Sequence, residues 1–186
     1  MKAKVIIAAS AALFLGVPVA QAADKEVGGF YVLGSVGQGK MKPSNTNNGD
    51  DTGTNTAYKF QLGYRINRWI GFEGGYVNFG KINLQDPGFS FRSPVNAEGW
   101  DLSIVPSFPL GDDFLLLTKI GVASVKNNES GSSRAMAVYG VGLNYIVNDN
   151  FDLRAEYEFY KGPNPSGNEP VINNIGVWTM GAAYRF

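Results

Sequence analysis

The last ten residues of the chain, 177–186, alternate between two faces of an extended strand. One face is apolar and largely aromatic, and it carries Trp178, Met180, Ala182, Tyr184 and Phe186. The other face carries Val177, Thr179, Gly181, Ala183 and Arg185. A period of two with one apolar face is typical of a β-strand that is buried on one side. The chain is therefore predicted to end in such a strand.

The same alternation recurs along most of the chain. Eight segments show it: Phe30–Gly39, Thr56–Ile66, Trp69–Gly80, Gly99–Leu110, Phe114–Lys126, Ala135–Val147, Phe151–Tyr160 and Ile175–Phe186. Each is close to the roughly 9–11 residues that a tilted strand needs to cross a bilayer. Eight membrane-crossing strands are therefore predicted.

The connections between these segments alternate between short and long. Short turns are predicted at Asn67-Arg68, Gly111-Asp112-Asp113 and Asn148-Asp149-Asn150. Long polar loops are predicted near Lys40–Asn55, Lys81–Glu98, Asn127–Arg134 and Lys161–Asn174. Tight turns on one rim and long loops on the other predict an all-β fold, an eight-stranded antiparallel up-and-down transmembrane β-barrel.

The amino terminus predicts export. Lys2 and Lys4 precede the apolar run Val5–Val19, and Ala20-Gln21-Ala22 forms a small-x-small cleavage site. A membrane anchor is the alternative, but the run is shorter than the roughly 20 residues that span a bilayer. We therefore predict a secretory signal peptide at residues 1–22 and a barrel domain at residues 23–186. A mature membrane protein without a spanning apolar helix must cross as a closed barrel, because lipid cannot satisfy open strand edges.

The size of the apolar side chains predicts which face meets lipid. Sixteen aromatic residues lie on the apolar faces: Phe30, Tyr58, Phe60, Tyr64, Phe72, Tyr76, Trp100, Phe108, Tyr139, Tyr145, Phe151, Tyr157, Phe159, Trp178, Tyr184 and Phe186. The interior of an eight-stranded barrel is only just wide enough for ordinary side chains. Sixteen rings would not fit there, whereas outside they form the aromatic girdles of a membrane barrel.

The opposite faces are predicted to line the lumen. They hold glycines together with polar and charged residues: Lys59, Gln61, Arg65, Glu73, Asp101, Ser103, Lys119, Asn144, Arg154, Glu156, Glu158 and Arg185. Charges enclosed in a narrow barrel are costly unless they are paired. The two signs are nearly balanced, so a polar, ion-paired lumen is predicted.

Several short motifs resemble a known family. Gly63–Asn67 followed by Gly71–Tyr76 resembles the second hairpin of the OmpA-type transmembrane barrel. Gly142–Tyr145 through Leu153–Tyr157 resembles its sixth and seventh strands, and Gly181–Phe186 is similar to its last strand. The resemblance implies a stand-alone barrel without the periplasmic peptidoglycan-binding domain that is often attached in this family.

The resemblance also implies that Glu73 and Arg154 form a central ion pair across the lumen. In the family's proposed gate, these two groups exchange partners with other interior charges. The matching positions here are Ser35, Val105 and Asn144, and none of them is charged. Partner exchange of that kind is therefore not expected in this chain.

We predict instead a static plug in the barrel interior. It is built on Glu73 and Arg154, with Glu156 and either Lys59 or Lys119 nearby. The alternative to a functional plug is a purely structural role, in which these residues only pair with one another and hold the barrel closed. At the end of the chain, Tyr184 and Phe186 resemble the signal that the outer-membrane assembly machinery reads.

The composition argues against several kinds of chemistry. The chain has no histidine, so it lacks the general base used by outer-membrane proteases, phospholipases and lipid A deacylases or acyltransferases. Glu156 and Glu158 both face the lumen and are better explained as ion-pair members than as a catalytic pair. The Asn- and Asp-rich loops lack the ligand spacing of a calcium site. We expect no enzymatic activity, no cofactor and no metal.

The charge also limits the partners. Removal of Lys2 and Lys4 leaves 14 basic against 16 acidic residues, a net charge of −2, which does not favour nucleic-acid binding. The expected partners are outer-membrane lipids including lipopolysaccharide, the barrel-assembly machinery and a host or cell-surface ligand of the loops. A monomer is expected.

Three functions remain open at this point. The first is a structural role in the bacterial outer membrane, which we prefer. The second is a narrow pore for ions and small solutes, although long charged side chains leave little room for one. The third is surface recognition through the long loops, where Phe89 and Phe91 form an aromatic cluster.

Overall fold

The chain folds into a closed barrel of eight β-strands. The computed structural model describes residues 28–43, 54–83, 94–127, 133–163 and 172–186. The strands are β1 (Gly29–Pro43), β2 (Thr54–Asn67), β3 (Ile70–Asn83), β4 (Pro94–Pro109), β5 (Phe114–Asn127), β6 (Ser133–Ile146), β7 (Phe151–Lys161) and β8 (Ile172–Arg185). Each strand pairs antiparallel with the next, and β1 pairs with β8. The predicted fold class is confirmed.

The strands extend further toward the long loops than the sequence predicts. β1 runs to Pro43 rather than Gly39, and β4 begins at Pro94 rather than Gly99. Antiparallel pairing continues through the residues after Gly39 and before Gly99, because backbone hydrogen bonds do not require an apolar face. The remaining loop residues, the proposed signal peptide, and Phe89 and Phe91 lie outside the described residues.

The three tight turns are stabilised by local side-chain hydrogen bonds and by one glycine. Asn67 Oδ1 accepts hydrogen bonds from the backbone N–H groups of Trp69 and Ile70, at 2.8 and 3.1 Å. Asn148 does the same in the β6–β7 turn. Gly111 has a φ of +97°, which favours glycine. These turns lie on one rim, called the turn rim; the opposite rim is called the loop rim.

The aromatic residues face outward, as predicted. None of the sixteen is buried, and Phe30 and Trp100 are each 67% exposed. Several stack in pairs on the outer surface, such as Phe114 with Tyr145 at a centroid distance of 4.9 Å. A barrel with this apolar, ring-rich exterior is suited to lipid rather than to water. Among the described residues, no helix is long and apolar enough to span a membrane.

The interior is layered, and it contains apolar groups that the prediction of a polar, ion-paired lumen did not include. Near the loop rim lies an apolar layer of Ala57, Val77, Phe79, Ala97, Ala123, Val125, Met136, Val138, Tyr160, Ile175 and Val177. Near the turn rim lie two smaller apolar groups: Val105, Leu115, Leu117 and Ile146 in one, and Tyr31, Leu33 and Ala183 in the other. Charged side chains occupy the space between. The lumen therefore also holds the rings of Tyr31, Phe79 and Tyr160.

Candidate functional site

Glu73 lies at the centre of the buried charges and contacts three donors. It projects inward from β3, and its side chain is fully buried. Its Oε1 pairs with Arg154 Nη1 from β7 and accepts a hydrogen bond of 2.5 Å from the Tyr31 hydroxyl on β1. Its Oε2 lies 2.6 Å from Lys119 Nζ on β5. One carboxylate thus joins four strands across the lumen.

Glu158 forms a second centre nearer the loop rim. Its Oε2 lies 2.5 Å from Lys59 Nζ, and its Oε1 lies 2.9 Å from Lys119 Nζ. The Tyr160 hydroxyl also donates to Oε2, at 3.1 Å. Since Lys119 contacts both Glu73 and Glu158, it connects the two centres into one network.

Glu156 occupies a looser position in the same network. Its carboxylate oxygens are 3.4 Å from Lys119, 3.6 Å from Arg154 and 3.7 Å from Lys59. These distances exceed those of strong charge-assisted hydrogen bonds. Glu156 therefore balances the charge of all three cations without being the primary partner of any.

The network is electrically balanced. We call these six residues the charged layer: Lys59, Glu73, Lys119, Arg154, Glu156 and Glu158. Three are cations and three are anions, and each is at most 8% exposed. A buried charge without a partner is expensive, whereas a paired and hydrogen-bonded one is tolerated. The layer can therefore fill the lumen as a rigid crosslink between β2, β3, β5 and β7.

Further polar groups lie beside the charged layer and near the turn rim. Gln61 donates to Asp101 at 3.3 Å near the charged layer. Arg185 and Asp152 form a separate ion pair of 2.5 Å near the turn rim. The Arg65 guanidinium lies 5.7 Å from the Tyr31 ring centroid, within cation–π range.

The structure brings together all five residues of the proposed plug, namely Lys59, Glu73, Lys119, Arg154 and Glu156. Both lysines take part, rather than one of the two. At the positions without charge, Asn144 accepts a 3.3 Å hydrogen bond from Arg154 Nε, while Ser35 and Val105 are buried.

Three participants were absent from the predicted plug. Glu158 was expected on the lumen face, but its role as the second centre was not. Tyr31 and Asp152 also face the lumen, and the period of two could have placed both there. Their partners could not have been predicted this way, because Tyr31 lies 42 positions from Glu73 and Asp152 lies 33 from Arg185.

The two terminal aromatic residues lie on the outer surface at the turn rim. Tyr184 is 38% exposed and Phe186 is 75% exposed. Their ring centroids are 5.1 Å apart in an edge-to-face arrangement. The backbone N–H of Phe186 donates to the carbonyl of Phe30 at 3.0 Å, which joins the chain end to β1.

Within the described residues, no group of three or more His, Cys, Asp or Glu is placed to hold a metal ion. The charged layer contains no histidine or cysteine and faces a filled lumen rather than a cleft. Ring-rich exterior, closed strand order and enclosed ion pairs together define an integral membrane β-barrel.

Comparison with known proteins identifies the family. Residues 9–186 match the outer membrane protein β-barrel domain, and the chain belongs to this family. It is a protein of the outer membrane of Gram-negative bacteria, and no enzymatic family is indicated. Outer membrane protein A of Klebsiella aerogenes is 24% identical over 98% of this chain and 55% of its own length. That of Escherichia coli O157:H7 is 26% identical over 98% and 55%. The chain thus spans about half the length of these relatives.

Solved structures share the fold. Neisserial surface protein A superposes with a TM-score of 0.62 at 20% identity, covering 84% of this chain and 97% of that one. OprG of Pseudomonas aeruginosa gives 0.56 at 12% identity, covering 87% and 97%. Ail of Yersinia pestis, solved in complex with the heparin analogue sucrose octasulfate, gives 0.53 at 19% identity, covering 85% and 99%. At these identities the likeness establishes architecture alone.

Proposed function

We propose that this protein is a closed, non-catalytic barrel that supports the integrity of the outer membrane. The observation that carries the proposal is the filled lumen. A balanced charged layer lies between apolar side chains on its loop side and on its turn side. A permanent water-filled path through the barrel would have to cross the charged layer and the apolar side chains on either side of it.

The apolar layer near the loop rim supports a closed barrel independently of the ion pairs. Phe79 and Tyr160 meet edge-to-face with centroids 4.9 Å apart, and both are fully buried. Apolar constrictions resist the entry of ions because water is poorly held there. The Phe79–Tyr160 contact touches the charged layer through the Tyr160 hydroxyl, which donates to Glu158 at 3.1 Å.

A narrow, intermittent pore is the second candidate. Its support is Glu156, which lies within 3.7 Å of three cations and is the primary partner of none. It offers Arg154 a second carboxylate to move toward, and it offers a third to Lys119, which already contacts Glu73 and Glu158. This differs from exchange through the uncharged positions of Ser35, Val105 and Asn144. Surface recognition rests on loops beyond the described residues and stays a prediction.

The expected partners follow from the location. Lipopolysaccharide is the proposed lipid partner at the loop rim. The barrel-assembly machinery is the proposed reader of Tyr184 and Phe186, whose rings lie exposed on the final strand. The closed strand order leaves no unpaired sheet edge in the described barrel, which favours a monomer.

A deletion strain tests the proposed function. Loss of the protein should increase uptake of a hydrophobic fluorescent probe and sensitivity to detergent, and the full chain supplied in trans should restore both. A strain that instead takes up small hydrophilic solutes more slowly, with unchanged detergent sensitivity, would contradict the structural role and favour the pore.

A further inference from the structure

One outward face at the loop rim combines aromatic, amide and basic side chains. It spans β7, β8 and β1, and we call it the β7–β8–β1 patch. Its members are Tyr157, Trp178, Gln38, Phe159, Gly176, Lys40, Lys161 and Asn174. They alternate with buried residues and lie in three successive rows across the strands. The patch therefore begins at the aromatic girdle and ends in polar residues.

The first row contains two aromatic rings. Tyr157 pairs with Trp178 across β7 and β8, and Trp178 pairs with Gln38 across β8 and β1. Both rings are exposed, and Trp and Tyr prefer the headgroup level of a membrane. This row therefore marks the height at which lipid headgroups meet the barrel.

The second row contains a glycine between an aromatic and a basic residue. Gly176 lies between Phe159 and Lys40 and has no side chain of its own. A Cβ at Gly176 would lie 2.7 Å from the Tyr157 hydroxyl, so that hydroxyl lies directly above the glycine. The Tyr157 hydroxyl and ring edge thus cover the place of the missing side chain, and Phe159 and Lys40 lie on either side of the glycine.

The charged residues of this patch are basic. Lys40 and Lys161 are both exposed, and one strand lies between them, about 10 Å across the sheet; Lys161 also lies one row, about 7 Å, nearer the loop rim. The patch contains no acidic residue. On the far side of the barrel, Lys126 has Glu98 directly opposite it, and Glu98 accepts a 2.6 Å hydrogen bond from Tyr76. Lys40 and Lys161 therefore differ from Lys126, whose strand partner is a carboxylate.

We propose that the β7–β8–β1 patch binds the phosphorylated sugar headgroup of an outer-leaflet saccharolipid, of the lipid A class. Lysine binds phosphate as a mobile point charge, and two lysines with one strand between them suit a headgroup with two phosphates. The exposed rings offer apolar faces to sugar C–H groups, and Gln38 and Asn174 offer hydrogen bonds to hydroxyls. A glycerophospholipid would use the lysines but leave the rings and amides without a role. Because it specifies where the proposed lipid partner binds, this inference rests on the proposed function.

Native mass spectrometry of the refolded mature chain tests this proposal. The probes are diphosphoryl lipid A, dephosphorylated lipid A and phosphatidylglycerol, added to the protein in a neutral detergent. Diphosphoryl lipid A should bind more tightly than either of the others. Lys40→Gln and Lys161→Gln should each weaken it several-fold, and the double variant about tenfold or more.

Two further variants separate the alternatives. Lys126→Gln removes the same charge from a compensated position and should change lipid A binding less than twofold. Trp178→Leu keeps every charge and should weaken lipid A while sparing phosphatidylglycerol. Equal losses in Lys126→Gln and Lys161→Gln would overturn the patch in favour of diffuse attraction. Phosphatidylglycerol binding as tight as lipid A binding would overturn the sugar assignment.

The outcome can be separated from that of the proposed function. A silent barrel that restores the deletion strain but shows no preference for lipid A would refute the patch alone. A conducting barrel whose lipid A binding depends on Lys40 and Lys161 would refute the closed lumen alone. Folding of every variant is checked by its heat-dependent migration in gels.

Discussion

Glu73 illustrates how a single residue determines the interior of this barrel. Three donors from β1, β5 and β7 meet its carboxylate, and its side chain is fully buried. A carboxylate in that position is stable only while its cations remain, and the cations depend on it equally. The six members of the charged layer therefore behave as a unit, so their contributions to stability should not be additive.

Glu73→Ala should lower the free energy of unfolding by about 3–5 kcal/mol, because Arg154 would be left buried without its main anion and Lys119 would lose the shortest of its ion pairs. Urea unfolding of the refolded protein in micelles measures the change. Asp112→Ala, in an exposed turn, is the control and should shift stability by less than about 0.5 kcal/mol. Equal stability of wild type and Glu73→Ala would refute the pairing.

Gly63→Ala should also destabilise the barrel, for a steric reason. The new Cβ would lie 2.1 Å from Cζ of Tyr31, whose hydroxyl donates to Glu73. The ring would have to move, at a cost of about 1–3 kcal/mol for overpacking. Gly34→Ala is the matched control on β1, since the new Cβ there would lie 4.0 Å from its nearest neighbour, the Phe60 ring. If both variants unfold at the same urea concentration, the close approach of Tyr31 is wrong.

At the scale of strands, the pattern of the sequence predicts the architecture but not its contacts. Alternation reports directly whether a side chain meets lipid or lumen, so all eight strands could be predicted. The bounds toward the loop rim could not, because polar residues such as those near Pro43 and Pro94 pair through their backbones.

Contacts across the lumen depend on a different property of the barrel. Which of Glu156 and Glu158 meets Lys59 depends on the stagger of strands that are not neighbours. That stagger is a property of the closed barrel and leaves no mark on any one strand. For the same reason, the sequence gives no means of recognising Phe79 and Tyr160 as one apolar contact across the lumen.

The final strand should carry the assembly signal. Deletion of Phe186 should lower the amount of folded protein in the outer membrane, because an exposed terminal ring and its backbone bond to Phe30 are lost together. Heat-dependent migration of outer-membrane fractions gives the folded amount. Refolding of the purified variant into micelles is the control and should be nearly normal. Normal yield in cells would place the signal elsewhere.

At the scale of the whole molecule, the exterior and interior have opposite roles. The apolar exterior contacts lipid. Pairs of rings stack near both rims, such as Phe151 with Tyr184 and Tyr76 with Trp100. The interior crosslinks the strands by charge at mid-height and by apolar packing toward each rim. The charged layer and the apolar layers close the lumen by different physical means, so the loss of one kind of layer should not open the barrel.

Conductance in a planar bilayer tests the closed lumen most directly. Refolded wild type and Glu73→Ala, each verified as folded, are compared at the same protein density. We expect neither protein to conduct, because the layer around Phe79 and Tyr160 remains intact in both. Openings in Glu73→Ala alone would show that the charged layer is the sole barrier. Discrete openings of the wild type would contradict the closed barrel itself.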